Sequence, residues 1–213
     1  MSEISENPQE IRETGRIEAF SDGVFAIVIT LLAFEIKVPP LSELREGQGL
    51  LSALIEQWPV YLGFLISFGT IAIMWINHHA MFKNIQRIDH RFLVLNTLLL
   101  MMITLVPFST LLLTEYLEHK DAAIGAIIFS GDFFLIAVFF NLMWFHASRD
   151  NRLLAKDADR ALVEGITKQY RFGPVFYLVS MGLALISVPA SLAVHFVLAA
   201  YFTIPGLAPR PGS

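Results

Sequence analysis

"GRIEAFSDGVFAIVITLLAFE", residues 15–35, is an apolar run with Arg16, Glu18, Ser21 and Asp22 packed into its first two turns. About twenty apolar residues cross a bilayer as a helix. An acidic side chain in the apolar core costs about 2.5–3.5 kcal/mol on insertion scales. The polar residues of this stretch must therefore find partners on the chain's other helices, and those partners decide how the helices pack.

The rest of the chain agrees with a membrane setting. Of 213 residues, 55% are hydrophobic and 16% charged, against about 45–50% and 25% in soluble domains. The mean hydropathy is +0.60. There is no cysteine, which excludes disulfides, thiol catalysis and thiolate metal sites. The net charge is -4, and no basic patch with interleaved aromatics points to nucleic acid. The opening "MSEISENPQEIRETG" is polar and acidic, unlike a signal peptide, so the first apolar segment is expected to stay in the mature protein.

Six spans are predicted in an all-α polytopic membrane protein forming one domain over 1–213. They cover about 17–36, 54–77, 92–114, 122–146, 172–188 and 190–207. The last two share one apolar block, too long for one crossing at 1.5 Å per residue, and Pro189 is expected to divide it. With the N-terminus inside, twelve of the fifteen basic residues fall on inner segments, namely Arg12, Arg16, Lys83, Arg87, Arg91, Arg149, Arg152, Lys156, Arg160, Lys168, Arg171 and Arg210. Only Lys37, Arg45 and Lys120 fall outside. This bias predicts cytoplasmic N- and C-termini. The loop 147–171 carries helical charge spacing and reads as a cytoplasmic amphipathic helix. No long internal repeat is evident.

At about 100° per residue, Arg16, Phe20, Ile27, Leu31 and Phe34 form one stripe of the first helix. Gly23, Ala26, Thr30 and Ala33 form a strip of small residues beside it, of the kind that lets membrane helices approach closely. Ser21 and Asp22 lie on the far side. The second span offers Trp75, Asn77, His78 and His79, and the third Asn96 and Thr97. A buried hydrogen-bond cluster of Asp22, Ser21, His78 and Asn96 is predicted, with Trp75 donating through its indole. Such a cluster specifies one arrangement when satisfied.

Arg16, Phe20, Ser21 and Asp22, read as R-x-x-x-F-S-D at the start of the first span, resemble the signature of the transmembrane protein 175 potassium channels of lysosomes and prokaryotes. Trp75, His78 and Phe82 follow a W-x-x-H-x-x-x-F pattern in the second span, and Asn96 and Pro107 fit the third. The resemblance implies a passive potassium channel without a P-loop, in the plasma membrane of a prokaryote, built as a homotetramer with the first helix of each copy around the pore. It places Ile27, Leu31 and Phe34 at the constriction and Thr30 near the pore, bearing on potassium selectivity. It also puts Arg16, Phe20, Ser21, Asp22, Trp75, His78 and Asn96 in the structural network. Phe34 departs from the smaller aliphatic residue that the family pattern suggests. Glu35 would sit at the outer mouth, where four copies concentrate cations, or pair with Lys37. No cofactor is implied.

Two other readings are open. Asp22, His78 or Asp132 could relay protons in a proton channel or proton-coupled transporter, since an intramembrane acid is a functional candidate. A membrane enzyme or scaffold is the third class. No nucleophile–base pattern or Gly-rich loop supports catalysis, and adjacent His78 and His79 lack the i,i+4 spacing of a two-histidine metal site. Asn141, His146 and His195 read as packing or interfacial groups.

Overall fold

The computed structural model describes residues 8–203 except 156, 157 and 159. Eight α-helices are described: α1 (Pro8–Ala33), α2 (Leu50–Glu56), α3 (Trp58–Phe82), α4 (His90–Tyr116), α5 (Ala122–Ser148), α6 (Arg160–Arg171), α7 (Gly173–Ala184) and α8 (Val188–Thr203). Three of them, α3, α4 and α5, are by length and composition enough to cross a membrane. Lys156, Arg210 and the predicted span end 204–207 lie outside the described residues.

The helix ends follow local chemistry. Asp89 caps α4 by accepting from the Phe92 amide at 2.9 Å, satisfying one of the unpaired N–H groups of a helix start. The predicted second span began at 54, but Leu54 belongs to α2, and the chain breaks at Gln57 before Pro59, the second residue of α3. Proline lacks an N–H and is best accommodated in a first helical turn, although α4 also holds Pro107 in its interior. The first span starts nine residues earlier than Ile17 and ends at Ala33 rather than Ile36. Its last turn closes by tighter bonds, Phe34 N to Leu31 O at 3.1 Å and Ile36 N to Ala33 O at 3.2 Å, ahead of Pro39 and Pro40.

The last apolar block divides at 185–187, not at Pro189. Ile186 N and Ser187 N both turn back onto Leu183 O, at 2.9 and 2.7 Å. Pro189 then sits in the first turn of α8, the same accommodation as Pro59.

The segment read as an amphipathic helix does form one, α6, and it runs on into the predicted fifth span. Trp144 Nε1 donates to Thr167 Oγ1 at 2.8 Å, and Asn141 Nδ2 donates to the Tyr170 carbonyl at 2.8 Å. A Cβ on Gly173 would touch Ala137, Tyr177 stacks on Phe133, and Ser180 meets Ser130. Each step forward along α6 and α7 is thus matched by an equal step back along α5. The two short helices form one interrupted rod antiparallel to α5, broken around Phe172 ahead of Pro174. Arg160, Lys168 and Arg171 remain exposed on α6.

Between α5 and α6 the chain reverses sharply through Asp150 and Asn151, at φ 56° and 51°, a left-handed region that Asp and Asn tolerate better than most residues. It then pairs with the α3–α4 loop. Gln86 N donates to Leu153 O at 2.9 Å and Ala155 N to Asn84 O at 3.1 Å, with Ile85 and Leu154 bridged antiparallel.

The exposed face of α1 and the polar network behind it

α1 buries one side and leaves the other free. Ser21, Phe25, Val28 and Leu32 recur at helical spacing and are all at most 1% exposed, packed against α3 and α4. On the opposite side Phe20 is 67%, Ile27 61%, Leu31 43% and Phe34 75% exposed. Gly23, Ala26 and Thr30 are exposed beside them. A Cβ on Gly23 would meet nothing within 4 Å among the described residues, so the strip of small residues is left open at that point. Phe34 stands just past the last α-helical residue.

The Thr30 hydroxyl turns back onto its own helix, donating towards the carbonyls of Ile27 at 2.8 Å and Ala26 at 3.1 Å. Its oxygen keeps lone pairs facing away from the helix. Glu35 is half-buried and Lys37 exposed, and no ion pair joins them among the described residues.

The polar residues of α1 divide into separate contacts. Ser21 donates to the Ile17 carbonyl at 2.9 Å and accepts from Asn96 Nδ2 at 3.0 Å. The Asn96 side-chain oxygen meets His78 Nε2 at 3.0 Å. Since Ser21 spends its only proton on Ile17, the asparagine amide must face Ser21, and its oxygen accepts from His78. That order fixes the imidazole with its proton on Nε2. The ring lies between Phe25, at 5.4 Å between centroids, and Phe82, at 4.5 Å. His78 is fully buried.

Asp22 is not in this chain of bonds. It accepts from Trp75 Nε1 at 2.9 Å, on the flank of α1. Beside it Glu18 Oε1 and His79 Nδ1 lie 2.7 Å apart, and the Trp75 and His79 rings stack at 6.2 Å. The predicted single cluster is therefore two groups, Ser21–Asn96–His78 and Asp22–Trp75, and the unpredicted Glu18–His79 contact joins them in tying α1 to α3 and α4. Arg16 and Phe20 stand outside it. Their helical phase puts them on the exposed stripe with Ile27, and both are exposed. Asn77 contributes its carbonyl, to the Tyr170 hydroxyl at 2.9 Å, and Thr97 bonds to its own helix.

Two polar sites deeper in the bundle have no spacing signal in the sequence. Ser109 donates to Asp132 Oδ2 at 2.8 Å. Ser130, Ser180, Ser191 and His195 form a hub joining α5, α7 and α8, with Ser130 3.0 Å from both Ser180 Oγ and His195 Nε2, and Ser180 2.9 Å from Ser191 Oγ. Each serine is an isolated small residue in an apolar segment, and only the fold brings them together.

A family model described as the endosomal/lysosomal potassium channel TMEM175 matches residues 16–107. A potassium channel of Chamaesiphon minutus is 55% identical over 92% of this chain and 96% of its own length. The crystal structure of a lysosomal potassium-selective channel TMEM175 homolog from the same organism superposes with a TM-score of 0.82 at 53% identity, covering 90% of this chain and 96% of that one. The endosomal/lysosomal proton channel TMEM175 of Bos taurus is 35% identical over 61% of this chain and 28% of that longer protein.

Proposed function

The chain belongs to the TMEM175 family, and from that premise we propose that it is a multi-pass membrane potassium channel, conducting ions passively through a pore formed by four copies of α1. The carrying observation is the free apolar face of α1. A helix whose polar and aromatic back is bonded into its own bundle, and whose Phe20–Ile27–Leu31 front stays exposed among the described residues, is shaped to meet copies of itself. Family membership and the potassium channels among its relatives give the ion.

In this reading the fourfold seam is the gate. Ile27 and Leu31 are one helical turn apart, about 6 Å along the axis at 1.5 Å per residue. Rings of branched apolar side chains at that spacing expel water from a narrow passage, and an ion cannot enter without its hydration. A small rotation or spreading of α1 widens the rings. It also brings the Thr30 oxygen, one position from Leu31, towards the ion path. Potassium sheds water more readily than sodium, so a constriction passing only partly stripped ions favours it. Glu35 would raise cation concentration at the mouth. The crowding of basic residues at the Phe82 end of the bundle supports a cytoplasmic orientation for that end and for the N-terminus, in the plasma membrane of a prokaryote.

Recording from purified protein in planar bilayers under potassium–sodium gradients tests this. Potassium-selective currents from a tetrameric particle support it. Currents that follow the proton gradient and ignore potassium would give the channel to protons instead. A silent protein that incorporates fully would remove the conduction reading.

A further inference from the structure

At the Phe82 end, outside the conduction path, α4 and α5 diverge into a cleft of mixed chemistry. Its rim carries three arginines from two places in the chain: Arg91 from the first turn of α4, and Arg149 and Arg152 from the turn after α5. The nearby acids offset the arginines only in part. Asp89 also faces Arg152, but it is engaged chiefly by His146, at 2.8 Å, and by the α4 cap. Asp150 lies 3.7 Å from Arg149 in a fully solvated position, 90% exposed. Three arginines against two acids leave the cleft with an excess of positive charge, and its guanidinium forks match phosphate oxygens.

The same cleft continues up the two helices as an apolar wall. Val94 is 44%, Leu142 45% and Phe145 60% exposed. Arg149 marks the boundary, its guanidinium carbon 5.9 Å from the centre of the Phe145 ring. A free phosphate would use only the lower half, and a hydrocarbon only the upper.

We propose that this cleft binds an anionic phospholipid, with its phosphodiester among Arg91, Arg149 and Arg152 and an acyl chain along Val94, Leu142 and Phe145. Basic pockets between helices at a membrane face are where such headgroups dock. The lipid bridges the start of α4 to the turn after α5, beside the loop pairing of Gln86 with Leu153. The site requires only that the protein is embedded in a bilayer, so it stands or falls separately from potassium conduction.

The test uses the purified full chain in phosphatidylcholine nanodiscs, titrated with phosphatidylglycerol. Retained lipid is read by native mass spectrometry and the unfolding midpoint by a thermal scan. An R91Q/R149Q/R152Q variant should lose phosphatidylglycerol retention by about tenfold, while K37Q/R45Q/K120Q, with the same change in net charge at the opposite end, keeps it. Phe145→Ser should weaken retention too, and inorganic phosphate should neither compete nor raise the midpoint. Equal losses in the two triple variants would reduce the effect to bulk charge and overturn the site. Stabilisation by inorganic phosphate equal to that by lipid would make it a free-anion site and overturn the lipid assignment. So would subunit dissociation of the first variant with lipid retention unchanged, which would give the cleft to contact between copies. Should the triple variant fail to fold, the single changes at these exposed arginines carry the measurement, each expected to weaken retention about two- to threefold.

Discussion

Asn96 reaches Ser21 at 3.0 Å across 75 positions of the chain, and that bond fastens the back of α1 to α4. The same amide holds His78 through its oxygen. The face of α1 that is left free is therefore fixed by what its opposite face must satisfy.

Replacing Asn96 with Leu strands His78 Nε2 in the interior and takes away the donor to Ser21, which keeps only its bond to Ile17. Unpartnered buried polar groups cost about 1–3 kcal/mol in proteins, with interhelical bonds in membranes at the lower end. Thermal unfolding of the purified protein should drop accordingly. Ser21→Ala should cost less, since Asn96 keeps His78. Equal melting of wild type and Asn96→Leu would show that the network does not hold α1.

Ile27→Asn should raise single-channel conductance and weaken potassium preference, because a polar ring keeps water in the constriction. The effect is read as current amplitude and reversal potential in mixed potassium–sodium solutions. Unchanged currents would move the constriction off this stripe. Thr30→Ala should leave conductance nearly intact and lower potassium-over-sodium selectivity, separating the hydroxyl's part from that of the apolar ring.

Asp89 gives a pH dependence with a definite sign. Partial burial alone would raise its pKa, but the Phe92 amide and His146 outweigh it, and the carboxyl is held below the ordinary 3.8. A depressed carboxyl stabilises the fold above that ordinary value, and the contribution fades as pH falls through the lower native one. Asp89→Asn should therefore lower the melting temperature at neutral pH. The gap to wild type should close in the acid range below 3.8. A gap that persisted unchanged there would rule out the charge as its source.

Gly63 lies where α3 and α4 touch, and an added Cβ would run into Thr114 Cγ2, with Thr110 Cγ2 at 3.2 Å. Gly63→Ala should destabilise by about 1–3 kcal/mol through overpacking. Thr114→Ser removes the clashing methyl, and the double variant should recover most of the loss. Failure of that rescue would place the strain elsewhere.

The membrane class, the long helices α3 to α5 and the two faces of α1 were legible because hydropathy and helical phase are local properties of the chain. The Asn96–Ser21 pairing was legible because intramembrane polar residues on the first three spans have few other partners available. What escaped was set by tertiary context. Asp22 bonds to Trp75 alone because its phase turns it to the flank. Pro189 looked like a breaker, yet a proline fits a first turn, and the break moved to 185–187. The charge spacing of α6 announced an amphipathic helix but not what its apolar face covers: Thr167 and Tyr170 lie against Trp144 and Asn141 and bind it to α5. The hub of three serines and His195 is beyond any one-dimensional pattern.

That hub also orders the birth of the molecule. Ser130 and Ser180 emerge from the ribosome before Ser191 and His195, so they can pair with each other but not yet with α8. Until α8 is made, the fifth and seventh helices carry buried hydroxyls whose α8 partners are still to come, so the order of synthesis is also the order in which this part of the bundle closes.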